Sequence, residues 1–256
     1  MLSDHASRLV VTASESAAAD LRARFCADRR AIEYFGMCRR RFDLVIDEIT
    51  ARAPTSASVL EVGPAFGHVL LALKRIGYSV QATECPDTIA GGQCRALVEA
   101  GVHVAAWDLH LDQRNPLEPN GFDVVICSEV LEHLLMGLEG AVGKISAMLR
   151  PGGVLVVTTP NIYRFTNLRR VVAGENICDP FPNEAAVRSG VVMDGRHHPR
   201  EPAMRELRAA LENCGLCVTK SDYFNSVRRP KRSELAFRVL PRWLRDHLLV
   251  VGEKTR

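Results

Sequence analysis

The stretch "VLEVGPAFGHVL" occupies residues 59–70. It sets an apolar run, an acid, a glycine turn and a second apolar run in immediate succession. A chain that leaves a buried strand and enters a helix must turn sharply. Where a ligand also approaches the backbone, side chains must be absent. Gly63 and Gly67 permit both, and the helix that follows presents free amides at its N-terminus. Glu61 stands beside the turn, where a carboxylate can hold an ammonium group.

Outward from this turn, strand and helix patterns alternate. Short apolar runs predict strands at 58–63, 78–84, 102–107, 122–128 and 154–160, with later ones at 216–224 and 247–254. Helices are predicted over 68–77 and about 87–100, and again where Leu131, Leu134, Leu135, Leu138, Val142, Ile145 and Leu149 keep helical spacing. A further helix carries Met204, Leu207, Leu211 and Cys214. "RPGG" at 150–153 reads as a turn. Such βαβ alternation predicts an α/β fold with a mainly parallel sheet covered on both faces. The last strand is free to hairpin back antiparallel.

Upstream, residues 1–56 form a separate N-terminal helical segment. It is Ala/Ser-rich and loose through about Asp20. Amphipathic helix then runs over Ala27–Ala53, with Ile32, Phe35, Phe42, Val45, Ile46 and Ile49 on one face. The main domain is 57–256. Within it, about 161–202 carries Asn, Gly, Pro and Arg with little periodicity, and reads as a functional insert.

The 256 residues suffice for this one large domain, and 47% hydrophobic content excludes wholesale disorder. A net charge of +3 is too small to imply nucleic acid. Of the basic clusters, "CRRR" at 38–41 and "RRPKR" at 228–232, each taken alone reads as solvated surface. Eight scattered cysteines include one CxxC, Cys214 and Cys217, without a second pair at zinc spacing. No signal segment or long apolar span is present, so a reducing, cytoplasmic setting is the expectation.

Three acids then fall in register after three successive strands: Glu61, Glu84 and Asp108. With Gly63-x-Ala65-x-Gly67, this resembles the E/DxGxGxG loop of class I S-adenosylmethionine (SAM) methyltransferases, of the small-molecule or ubiquinone O-methyltransferase type. Ala65 departs from the middle glycine, and Pro64 precedes it. The resemblance covers about 58–160. It implies a Rossmann-like, doubly wound, seven-stranded sheet with SAM as cofactor. Glu84 would accept the ribose hydroxyls, Asp108 the adenine amino group and the Leu109 amide the ring. Ser128 ends the fourth strand beside the cofactor.

The fourth strand runs on into "SEVLEH", and in this fold ligands sit outside the carboxyl ends of the strands. His133 is read as general base and Glu129, one helical turn before it, as its orienting or acceptor-binding partner. Glu132 reads as a helix-start acid. If a divalent metal is used, Glu129, Glu132, His133 and His198 are its ligands, a set that resembles the RNA terminal 2′-O-methyltransferases. Aromatics at 6% give no base-stacking platform, so RNA is the weaker partner.

The insert resembles methyltransferases of polysaccharide and glycoconjugate assembly. The acceptor expected is therefore a sugar, sugar nucleotide or other polar small molecule, methylated on oxygen. Arg164, Arg169, Arg170, Arg196 and Arg200 would meet an anionic group on it, and His197–His198 offer a second base. A non-catalytic SAM-binding regulator stands as the alternative from another class. The oligomeric state is open, with a homodimer as one option.

Overall fold

The computed structural model describes residues 2–109, 116–178, 198–226 and 240–255, with the side chains of 2–9 and Arg30 excepted. Two helices lead, α1 (Leu2–Arg24) and α2 (Arg29–Thr50). Then come β1 (Ser58–Val62), α3 (His68–Ile76), β2 (Ser79–Glu84), α4 (Pro86–Ala90), α5 (Arg95–Glu99), β3 (His103–Ala106) and β4 (Phe122–Ser128). A single 3-10 turn (Leu131–His133) separates β4 from α6 (Leu138–Ser146). The chain closes with β5 (Leu149–Pro160), α7 (Phe165–Val172), α8 (Met204–Asn213), β6 (Leu216–Phe224), a 3-10 turn (Arg242–Leu244) and β7 (His247–Lys254).

Seven strands form one sheet in the order β3-β2-β1-β4-β5-β7-β6. β1, β2, β3, β4 and β5 run parallel to one another, and β7 lies antiparallel between β5 and β6. Side chains alternate across the pleat, so each strand feeds two cores. Val59, Val124, Ile126, Val156 and Leu249 face the layer made by α1, α2, α3 and α5. Leu60, Val125, Cys127, Leu155 and Val250 face the layer of α6 and α8. Strand order reverses between β1 and β4, and the crevice at that switch is where such sheets take ligands.

Several expectations need correction. The Ala/Ser-rich start is helix α1, with Val10, Ala13, Ser14, Ala17, Ala18 and Leu21 buried along one side. Alanine is the best helix former, and small side chains let α1 lie close on α3. Helix 87–100 is two short helices, because Gly91 and Gly92 interrupt it and Gly92 takes φ +75°. The helical spacing from Leu131 to Leu149 is also broken. Leu134 is extended, and Gly137, also extended, caps α6. "RPGG" is a bulge inside β5: Phe122 pairs Leu149 and Val124 pairs Val154, so four residues loop out of register.

A buried polar contact ties α1 and α2 to α3. The Ser14 hydroxyl donates to Asp43 Oδ1 at 2.5 Å and lies 3.2 Å from His68 Nε2. With its one proton given to Asp43, Ser14 accepts from the His68 Nε2–H. His68 stacks on Phe42 at 4.5 Å between ring centroids, and its Nδ1 is buried without a partner. Burial, then the Arg39 charge, lowers its pKa from 6.5 to about 3. The unfolded chain therefore binds the extra proton. Stability from neutral His68 is full above pH about 6.5 and drains as pH falls toward 3. Over that window the wild-type protein should lose about 1.4 kcal/mol per pH unit from this one group. Urea unfolding of His68→Phe between pH 7 and 4.5 should show a correspondingly shallower slope. Parallel slopes for the two proteins would contradict the assignment.

Candidate active site

The turn after β1 is built from left-handed residues: Gly63 at φ 72°, Ala65 at 50° and Gly67 at 79°. At Gly63 an added Cβ would lie 2.5 Å from Val130 Cγ2, and at Gly67 it would lie 2.3 Å from Leu97 Cγ. Both positions thus exclude a side chain for space as well as for dihedral angle. Ala65 pays about 1 kcal/mol for its φ. Its N–H donates to Glu84 Oε2 at 2.9 Å, and its carbonyl accepts from the Cys94 thiol at 3.4 Å. Those bonds hold a non-glycine residue where the pattern wants glycine.

Glu61, on β1, is 4% exposed, and its Oε2 has no protein partner. Burial, then the charge of Glu84, raises its pKa to about 8. Glu84 ends β2 and accepts the amides of Cys85 (2.8 Å) and Ala65. Burial raises it as well, and those two amides oppose the rise. Asp108 and Leu109 follow β3, and Lys144 Nζ reaches the Leu109 carbonyl at 3.3 Å. Ser128 Oγ lies 2.8 Å from Thr158 Oγ1, which joins the ends of β4 and β5.

Glu129 is also left-handed, at φ 57°. Its carboxylate turns away from His133 and meets Arg41 Nη1 and His247 Nε2, each at 3.2 Å, and the Thr158 hydroxyl at 3.1 Å. Burial would raise its pKa, but Arg41 and His247 together bring it down to about 2. Glu132 is the opposite case. It is fully buried, with Oε2 taking the Thr159 hydroxyl at 3.0 Å and Oε1 unpartnered. Burial, then the neighbouring charge of Glu129, pushes its carboxyl well above the usual carboxylate range. The helical turn expected between Glu129 and His133 does not form, and Glu132 is no exposed helix-start acid.

His133 instead faces His198, edge to face at 4.8 Å between centroids. Ligand atoms of Glu132, His133 and His198 lie within 4.8 Å of one another, close enough to share a divalent cation. Glu129 is outside that set. His197 and Arg196 lie outside the described residues, as do 228–239 of the basic insert. Of the insert arginines, Arg164 is bound to Glu201, Arg170 lies 3.5 Å from Glu175 and Arg200 lies 2.5 Å from Glu206. They line a cleft with Ile162, Cys178 and His198.

Three site residues escape a reading of the sequence by motif. Arg41 is 4% exposed, donates to Tyr34 Oη at 3.0 Å and packs over Phe42, with its Nε buried and unpartnered. The signal was present: Arg41 is three residues past Cys38 and four before Val45, on the buried stripe of α2. His247 opens β7 and stacks on Phe224. Glu201 is 8% exposed and ties His198 to Arg164.

A family model described as a methyltransferase domain matches residues 35–221. The ubiquinone biosynthesis O-methyltransferase of Xanthomonas axonopodis pv. citri is 29% identical over 176 residues, 67% of each chain. That of Xanthomonas euvesicatoria pv. vesicatoria is 30% identical over 164 residues, 62% of each chain. The chain thus spans about two thirds of the length of these curated relatives. A SAM-dependent methyltransferase from Archaeoglobus fulgidus has a similar solved structure, with TM-score 0.56 and 19% identity over 86% of this chain and 98% of that one. At that identity the likeness speaks to the fold.

Gly63→Ala meets both the Val130 contact and the left-handed φ. It should cost about 1–3 kcal/mol of stability and lower SAM affinity more than tenfold. Unchanged melting and calorimetric affinity would show that the turn does not have this shape.

Proposed function

This chain belongs to the methyltransferase domain family and is an S-adenosylmethionine-dependent enzyme, and from that premise we propose how its residues bind the cofactor and which atom it methylates. The carrying observation is a pair of buried, unpartnered atoms of opposite character, Glu61 Oε2 and Arg41 Nε. Arg41 is near enough to Glu61 to lower its pKa. A carboxylate oxygen and a guanidinium N–H are a matched receptor for the ammonium and carboxylate of an amino acid, so the residues present fit the cofactor's amino-acid end. Glu84 takes the ribose hydroxyls, Asp108 and the Leu109 amide take the adenine, and the amides of Gly63–Gly67 line the backbone approach. Bound there, SAM supplies a methyl group activated by its sulfonium.

The acceptor atom is a hydroxyl oxygen on a small molecule. The printed names of both Xanthomonas relatives are O-methyltransferases, which supports oxygen. His133 follows β4 and takes the hydroxyl proton as general base, with buried Glu132 4.0 Å from its Nε2. Glu129 anchors Arg41 and does not reach the acceptor. Of the insert arginines that a sugar nucleotide's phosphates would call on, Arg164, Arg170 and Arg200 already face carboxylates. A polar, hydroxylated acceptor without a required phosphate is the better match. An RNA ribose held by a four-ligand metal loses Glu129 as a ligand. No helix among the described residues is long and apolar enough to cross a membrane, and a cytoplasmic setting is part of this proposal.

Radiolabelled SAM incubated with a lysate split into small-molecule, glycan, lipid and RNA pools tests the reading. Label in small molecules is expected; label in RNA alone would overturn it. The cofactor site has its own test. Free Glu61, at about 8, carries a proton at pH 7, and an ammonium partner requires the carboxylate. SAM binding at pH 7 should therefore release a proton, seen as an enthalpy that varies with buffer ionisation heat. Glu61→Gln should lose both the release and about tenfold or more in affinity. Proton release that persists in Glu61→Gln would contradict the assignment.

A further inference from the structure

Glu201 belongs to none of the cofactor contacts, yet it is among the most constrained carboxylates in the described chain. It is 8% exposed, in a segment where Arg200 beside it is open to solvent. Its Oε2 accepts from the Arg164 guanidinium and, at 3.2 Å, from Asn167 Nδ2. Its Oε1 lies 3.0 Å from His198 Nδ1. Asn167 is itself 2% exposed and donates to the Ile162 carbonyl at 3.0 Å. Backbone bonds brace the same corner: Arg164 N–H donates to the Asn161 carbonyl at 3.0 Å, and Asn167 N–H donates to the Arg164 carbonyl at 2.9 Å. An exposed ion pair earns little from such order. Here the buried carboxylate is fixed from two sides, and its remaining oxygen is aimed at one histidine.

The chemistry at that oxygen is specific. A carboxylate can only accept, so the ring nitrogen facing it carries the proton. The histidine tautomer is set by the bond its other nitrogen makes. We propose that Glu201 is the positioning residue of the acceptor site: it holds His198, whose ring meets His133 edge to face, as the Nδ1–H tautomer, so that Nε2 carries the lone pair. Arg164 and Asn167 act one step further back, by holding Glu201. The insert arginine expected to greet an anionic acceptor thus has a different role. An imidazole nitrogen with a lone pair is the form that can accept a hydrogen bond from a hydroxyl. This inference deepens the methyl-transfer reading and rests on it for its consequence, though the tautomer is a property of the protein alone.

The test uses the full chain labelled with ¹⁵N-histidine. Long-range proton–nitrogen correlation reads the tautomer of each ring, and His198→Gln identifies the His198 signals. Wild type should show the Nδ1–H form for His198. Glu201→Ala should convert it to the Nε2–H form or a mixture, whereas Glu201→Gln, whose amide oxygen still accepts, should retain Nδ1–H. Turnover on the lysate fraction that wild type labels should fall about 10–100-fold in Glu201→Ala, with SAM affinity unchanged and with partial rescue in Glu201→Gln. An Nε2–H tautomer in wild type would overturn the proposal, as would a tautomer unaltered in Glu201→Ala. Should Glu201→Ala not fold, Glu201→Met, which keeps the side-chain length without an acceptor oxygen, carries the same comparison. If wild type labels no fraction, the methyl-transfer reading has failed, and the tautomer measurement alone decides the role of Glu201.

Discussion

Arg41 and Glu129 meet at 3.2 Å in the interior, and much of the site follows from that one ion pair. Removing one partner of a buried pair costs about 3–5 kcal/mol, because the other is left charged and dry. The pair therefore locks α2 to the end of β4. It also explains how Glu129 tolerates φ 57°: the strained backbone is what turns its carboxylate toward Arg41 and His247. Gly63 sits against the next residue, Val130. The turn after β1 and the exit from β4 are consequently one packed unit at the switch in strand order.

The same pair divides the carboxylates by charge. Glu129 has a cation and an imidazole for company and stays ionised. Glu132, in the dry interior beside an ionised neighbour, is pushed well above the usual carboxylate range. Glu61 is pushed up by burial and by Glu84, which makes it a site that gains from a cationic ligand. Three glutamates of one residue type thus titrate in different ranges, each set by its surroundings. Only one of them, Glu61, combines an unpartnered oxygen with a position beside the glycine turn.

The sheet was legible from residues because the apolar runs have strand length, and those of β1, β2, β3 and β4 end at a glycine or an acid. Glu61, Glu84 and Asp108 were legible for the same reason, since register along parallel strands brings their ends to one edge. Other parts were hidden for physical reasons. α1 carries small residues, so its periodicity lay in Val10, Ala13, Ala17 and Leu21 and was masked by composition. Arg41 looked like surface because it stands in a basic run, although its place on the α2 stripe marked it as buried. The spacing of Glu129, Glu132 and His133 suggested one helical face. A left-handed residue and a 3-10 turn rearranged them, and neither has a sequence signature here. Glu201 lies between Arg200 and Pro202 in an aperiodic segment, and its importance comes only from distant partners, Arg164 and Asn167.

The N-terminal helices are therefore part of the site and not a cover laid over it. Phe35, Cys38 and Phe42 of α2 share one core with Val69 and Leu70 of α3, and Arg41 is delivered from that core. This makes the cofactor's amino-acid end the place where the account is most exposed to test. A crystal structure with S-adenosylhomocysteine decides it directly. The account expects the ligand's ammonium on Glu61, its carboxylate on Arg41 and its ribose hydroxyls on Glu84. A ligand whose amino-acid end lies away from both Glu61 and Arg41 would contradict it.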